Sequence, residues 1–259
     1  MLRECTPHAL AFHGVGRRAV LERFAGGTLT SDGSAVLLRE VERVTGLLRG
    51  FAACFRDARD PARVRHAVGA LVRQRVYGLA LGYEDLTDHE RLRPDPLLAV
   101  LAEAADLTGQ LACKRTLNRL ALSAAAIGAT ERYKKIAVDH AAVDQRFVDV
   151  FVAAHATPQT EVVLDLDAND DPVHGQQAGC FFHGFYGHYC YLPLYIFCGE
   201  HLLGARLRTA DRDRADGARE EVDRIVAHLR AVWPEVRIIL RADSGFCREA
   251  LLAPLCQYE

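Results

Sequence analysis

Two short apolar runs in this sequence end in aspartate. The first, residues 161–167, reads Glu-Val-Val-Leu-Asp-Leu-Asp and closes on Asp167. The second, residues 236–240, reads Val-Arg-Ile-Ile-Leu and runs into Arg241-Ala242-Asp243-Ser244-Gly245. Each run has the length and β-branched content of a buried strand. If the two strands are neighbours, both carboxylates emerge together at the carboxyl edge of a sheet, where open α/β sheets bind ligands. Adjacent carboxylates repel unless a cation neutralises them. Mg²⁺ suits such a pair, because it takes carboxylate oxygens and keeps sites for water and phosphate. Two ions about 3.5–4 Å apart can serve an attacking and a leaving oxygen at phosphorus. Asp165 shares a strand face with Asp167, so either or both can be the ligand. The competing reading is local: Asp243-Ser244-Gly245 can be a capped turn and nothing more. Asp170 and Asp171 read as a solvated turn.

A second cluster, His174, Cys180, His183, His188 and Cys190, holds ligand-type side chains. Its spacings match no zinc template, and none of the eight cysteines forms a C-x-x-C pair. A zinc-dependent binding module is the alternative it leaves open. The plainer expectation is buried thiols with histidines lining a polar cleft.

The elements that must position the aspartates follow from periodicity. Upstream, helical spacing of apolar residues predicts helices over 34–44, 63–81, 96–107, 113–126 and 130–155. Residues 1–29 read as irregular and 30–157 as an all-helical domain. From residue 158 the period changes. Strands are expected at 161–167, 189–198, 201–209 and 236–240, and helices at 216–232 and from 248. Gly199-Glu200 makes a tight turn between the second and third strands. The resulting order is β-β-β-α-β-α, with the fourth strand parallel to the first after a right-handed crossover.

Length and charge set the outer bounds. The protein has 259 residues, 50% of them hydrophobic and 25% charged, with a net charge of −2. That suits about one to two domains of ordinary globular protein and excludes a disordered, collagen-like or mucin-like polypeptide. No run approaches the roughly 18 apolar residues of a membrane span. The start has no signal-peptide pattern, so a soluble, cytoplasmic protein is expected. The charge is uneven: residues 1–160 carry 22 Lys and Arg against 18 Asp and Glu, and the rest carry 10 against 16. A basic half suits a polyanion and an acidic half suits cations. Arg63, Arg73, Arg75, Lys114, Arg115 and Arg119 are the candidate phosphate contacts.

Longer strings carry a family resemblance. Asp165-Leu166-Asp167-Ala168-Asn169-Asp170-Asp171-Pro172-Val173-His174-Gly175, then Phe182-His183-Gly184-Phe185-Tyr186, then His188-Tyr189-Cys190-Tyr191-Leu192-Pro193-Leu194, resemble the start of the catalytic domain of DDE transposases of the insertion sequence 1380 family. Arg241-Ala242-Asp243-Ser244-Gly245-Phe246-Cys247 resembles that family's second acidic motif. Upstream, Leu29-Thr30-Ser31-Asp32-Gly33 and Asp60-Pro61-Ala62-Arg63-Val64-Arg65-His66 are similar too.

The resemblance implies a ribonuclease H-like domain over 158–259 behind a helical DNA-binding and dimerisation domain over 30–157. It implies Asp167 and Asp243 as catalytic residues that hold Mg²⁺ or Mn²⁺, and the shared strand face adds Asp165 as a candidate ligand. The implied activity is cut-and-paste transposition by a homodimer on double-stranded DNA, acting at terminal inverted repeats and target DNA. Asn169 stands where the family's threonine is usual. The family's third carboxylate, a glutamate, lies beyond the second motif and has no counterpart by residue 259. On this reading the α/β domain is incomplete and the protein is truncated at its carboxyl end. A catalytically inactive DNA-binding and dimerising remnant is the alternative.

Overall fold

The computed structural model describes residues 10–22, 32–107, 109–126, 135–175 and 177–252. They form two compact units, Met1–His140 and Ala141–Glu259.

The first unit opens with a hairpin, not the irregular segment expected. β1 (Leu10–Val15) and β2 (Arg18–Glu22) pair antiparallel around Gly16, whose φ of 58° suits the tight turn. α1 (Val36–Thr45) ends at Gly46, also left-handed at φ 61°. α2 (Leu47–Ala53) starts at once, because the buried Glu42 carboxylate accepts the Leu48 and Arg49 N–H groups at 2.6 and 2.9 Å. That satisfies two of the donors a helix start leaves open. β3 (Phe55–Asp57) follows, then α3 (Val68–Ala80), α4 (Asp88–Leu92), α5 (Pro96–Leu101) and α6 (Lys114–Ala121). Asp95 caps α5 through Leu98 N–H at 2.9 Å, with Pro96 as the first helical residue. Leu71, Leu101 and Leu117 are fully buried.

Two expectations for this unit are corrected. The helices are shorter than their apolar stripes, and 30–155 is not all-helical. Within the expected helix over 130–155, Ile136–Val138 is strand β4, antiparallel to β3, and α7 (His140–Ala153) begins only after it. Residues 130–134 lie outside the described residues. All three β4 residues are buried. Pairing with a strand some 80 residues away in sequence overrides the local helical period, as tertiary context does.

The second unit carries the sheet that positions the aspartates. β5 (Glu161–Ala168) lies between a parallel and an antiparallel neighbour. Three short strands follow it: β6 (Asp171–Pro172), β7 (Phe181–His183) and β8 (His188–Tyr191). Then come β9 (Leu194–Cys198), β10 (His201–Arg206), α8 (Ala218–Val232), β11 (Arg237–Ala242) and α9 (Glu249–Leu252). The main sheet has the order β10-β9-β5-β11. β10 and β5 run antiparallel to β9, and β11 runs parallel to β5.

The expected single strand over 189–198 is two strands in different sheets. Pro193 has no N–H for a ladder, and Leu192 N–H turns to the Arg208 carbonyl at 2.9 Å. β8 instead joins β6 and β7 in a small three-stranded sheet, where only a loop was expected.

Alternation along β5 separates its faces. Val162, Leu164, Leu166 and Ala168 are buried in one cluster with Ile196, Leu203 and the α8 residues Val222, Ile225 and Leu229. Glu161, Val163, Asp165 and Asp167 lie on the opposite, more accessible face. Burial of a large apolar residue contributes about 1.5–3 kcal/mol, which fixes the register and so the height of every acidic residue. Among the described residues no helix is long and apolar enough to cross a membrane.

Candidate active site

The ladder between β5 and β11 is in register from Arg237 opposite Glu161 to Ala242 opposite Leu166. Its accessible face alternates charge in a regular way. Arg237 Nη1 pairs with Glu161 Oε2 at 3.2 Å. Further along the same face, Arg241 grips Asp165 through two hydrogen bonds, Nη2 to Oδ2 at 2.7 Å and Nε to Oδ1. Hydrogen bonding to Arg241 holds the Asp165 carboxyl below its ordinary 3.8. The next rung on that face breaks the rule. Continuing the register sets Asp243 level with Asp167, acid against acid. Neighbouring strands are about 4.8 Å apart, and like charges directly opposite destabilise a sheet.

The two aspartates of that rung differ in their surroundings. Asp167 is exposed, and its carboxylate makes no hydrogen bond or ion pair with any described residue. Asp243 is doubly engaged. Its Oδ1 accepts Gly245 N–H at 2.8 Å, capping the short 3₁₀ turn Ser244–Phe246, so the local turn reading is realised as well. Its Oδ2 accepts Arg214 Nη1 at 2.7 Å. Arg214 Nη2 donates to the Tyr186 hydroxyl, and the guanidinium lies 5.6 Å from the ring centres of both Phe185 and Tyr186. Sequence reasoning missed Arg214. It sits in the loop between β10 and α8, far from Asp243 in sequence and without periodicity to mark it.

Carboxylate oxygens at an exposed sheet edge are hard donors, the type that Mg²⁺ and Mn²⁺ take. An otherwise unfavourable acid–acid rung fits such an ion. Asp165 does not share the rung; Arg241 occupies both its oxygens. No group of three His, Cys, Asp or Glu side chains able to hold a metal occurs among the described residues.

The His/Cys cluster is held by other partners. His188 pairs with Asp170 at 2.7 Å, and the Cys180 thiol donates to the Gln177 carbonyl at 3.0 Å. Cys190 is fully buried, which raises its thiol pKa, and the His183 ring lies tilted at 44° against Tyr186 with ring centres 4.9 Å apart. The zinc alternative therefore has no ligand set among the described residues.

The candidate phosphate contacts divide. Arg73 is only 16% exposed and pairs with Glu103 at 3.3 Å. Arg75 donates to the carbonyls of Tyr83 and Glu84 at 3.3 and 2.7 Å. Both serve the packing of α3. Lys114 and Arg115 are exposed at the start of α6. Arg63, 87% exposed, and Arg119 line one cavity of about 670 Å³. Arg59, Arg65, Arg93 and His66 line it too, with Asp106 its single acidic residue. Burial, then the charges of Arg65, Arg59 and Arg93, push the His66 pKa down. Sequence reasoning missed Arg59, Arg65 and Arg93, although the run Arg56, Arg59, Arg63, Arg65 signals a basic segment.

Residues 12–258 match the family described as Transposase DDE domain group 1. No curated protein and no solved structure matches the sequence. The family implies DNA as partner and divalent metal ions as cofactor. With nearly all its length matched, the chain belongs to the DDE transposases.

Proposed function

We propose that this protein performs cut-and-paste transposition of an element of the insertion sequence 1380 type, with Asp167 and Asp243 as catalytic residues of a ribonuclease H-like domain. What supports this is the β5–β11 register, which, continued past Ala242, sets Asp243 level with Asp167 on a face whose earlier acidic residues pair with arginines across the strand gap. The sheet order β10-β9-β5-β11, with a parallel strand joined by a helix to an antiparallel front, supports the ribonuclease H-like reading.

Asp167 and Asp243 would hold Mg²⁺ or Mn²⁺. When bound, such an ion supplies positive charge against the charge that develops at phosphorus. The protein's own residues do the rest. The acid–acid rung presents its oxygens on the accessible face, and the buried face under α8 keeps them at one height. Water would attack phosphorus at the element's end as the 3′ oxygen leaves with a proton. That 3′ hydroxyl would then attack a target phosphodiester in line, losing its proton as the target strand's own 3′ oxygen is displaced and takes one up. Lys114, Arg115, Arg119 and Arg63 would hold backbone phosphates, fixing register without reading sequence. Residues 30–157 would supply this DNA-binding surface and the contacts of a homodimer, and 158–259 the chemistry.

A second reading, a DNA-binding and dimerising remnant without strand transfer, is favoured by one observation. Among the described residues no third acidic side chain joins the pair into a metal-holding group. Incubation of the purified protein with labelled terminal inverted repeats and Mg²⁺ or Mn²⁺ separates the two. Cleavage that Asp167→Asn and Asp243→Asn each abolish supports the enzyme. DNA binding without cleavage, unchanged by either substitution, supports the remnant.

A further inference from the structure

Arg214 is built into the site, and several features of the second unit converge on it. Its Nη1 donates to Asp243 Oδ2 at 2.7 Å and its Nη2 to the Tyr186 hydroxyl. Its side chain is only 24% exposed, whereas that of Asp243 is 52% exposed. Phe185 and Tyr186 flank the guanidinium. The backbone is pinned as well: the buried Arg208 donates through Nη1 to the Arg214 carbonyl at 3.0 Å and through Nε to the Leu192 carbonyl at 3.0 Å. On the other side Gly245 makes the room. A Cβ there would stand 2.7 Å from Arg214 Cδ.

A surface arginine that met an aspartate by chance would show none of this. The guanidinium takes one oxygen of a single member of the acid–acid rung and leaves Asp167 without a partner. Positive charge beside an acid–acid rung does what a bound cation would do, reducing its self-repulsion. The guanidinium takes a lone pair of Asp243 Oδ2 and sets a positive charge where a divalent ion would bind, so the two compete.

We propose that Arg214 is an internal counter-ion that occupies Asp243 in the metal-free protein and competes there with a divalent ion for the pair. It is a positioning residue and sets the metal affinity of the site. The proposal rests on the reading that Asp167 and Asp243 hold the ion. The loop that bears Arg214 is thereby a determinant of metal loading, and wild-type affinity is weaker than the carboxylates alone would give.

The test is Mn²⁺ binding to the full-length protein without DNA, read from the loss of the free-ion paramagnetic resonance signal. Arg214→Gln is expected to bind Mn²⁺ about tenfold more tightly than wild type, since a charge-assisted hydrogen bond to Asp243 no longer competes. In the Asp243→Asn background the same substitution should change nothing. Tyr186→Phe, which removes only the second anchor of Arg214, should tighten binding by about twofold to threefold. It keeps the test open if Arg214→Gln folds poorly. Equal or weaker Mn²⁺ binding by Arg214→Gln or Tyr186→Phe, with Asp243→Asn still weakening wild type, overturns the counter-ion and leaves the metal site standing. Mn²⁺ binding indifferent to both Asp167→Asn and Asp243→Asn overturns the metal site and the counter-ion with it.

Discussion

The two ends of the β5–β11 ladder use the same residue type to opposite effect. Before the carboxyl end, Glu161 and Asp165 each face an arginine across the strand gap, and the charges close on one another. At the carboxyl end the ladder stops at Ala242 opposite Leu166, and its register continued by one residue sets Asp243 level with Asp167. Strand and face are shared; the partner differs, and with it the exposure, since paired Asp165 is half-buried and Asp167 is exposed. Closed rungs hold the sheet together. At the open rung no arginine stands across the strand gap: Asp243 draws positive charge from Arg214 on a loop, and the Asp167 carboxylate has no such partner among the described residues.

The contrast can be broken most decisively at the open rung. Asp167→Asn or Asp243→Asn should lower cleavage of a labelled transposon end at least about a hundredfold, a loss of transition-state charge stabilisation rather than of fold. Circular dichroism unchanged from wild type must accompany it. Next in size is a substitution that both ends share. Leu164→Ala empties a fully buried site beneath β5 and should cost about 2–5 kcal/mol in urea denaturation, disturbing closed and open rungs together.

The closed rung answers differently. Asp165→Asn should leave cleavage within about twofold of wild type, since a paired surface carboxylate contributes little. Its signature is in pH. The folded carboxyl lies below its ordinary 3.8, so its stabilising share is complete above that value and is lost as pH falls through the folded pKa. The stability gap between wild type and Asp165→Asn should therefore vanish in acid. The smallest effect has the opposite sign. Asp167→Asn removes the repulsion across the open rung and should raise metal-free stability by about 0.2–1 kcal/mol while removing activity.

Much of this contrast is legible in the sequence. Apolar runs ending at Asp167 and Asp243 mark both strands, and Gly199-Glu200 marks the β9–β10 turn. A period of two also puts Asp165 and Asp167 on one face. What periodicity does not show is which of them has a basic partner. That depends on the register between β5 and β11, which sets Arg241 opposite Asp165. The misses share a cause. Ile136–Val138 pairs with Phe55–Asp57, and Arg214 reaches Asp243 from a loop, so both depend on contacts remote in sequence. Arg73 and Arg75 read as candidate phosphate contacts because a stripe shows which face is apolar, not that Glu103 and two carbonyls lie within reach of the other. Pro193 is the exception, a local signal that a ladder cannot continue through it and that β8 must end before it.

The room left at Gly245 has a consequence for how freely this protein can vary. A methyl group there would meet Arg214 Cδ at 2.7 Å and Asp243 Oδ1 at 2.9 Å, so two roles press on one codon. Ser244, exposed beside it, carries no such load. In a saturation library scored for transposition, position 245 should retain glycine alone and position 244 should accept most residues. Divergent copies of the element would then keep the glycine for as long as they keep the arginine.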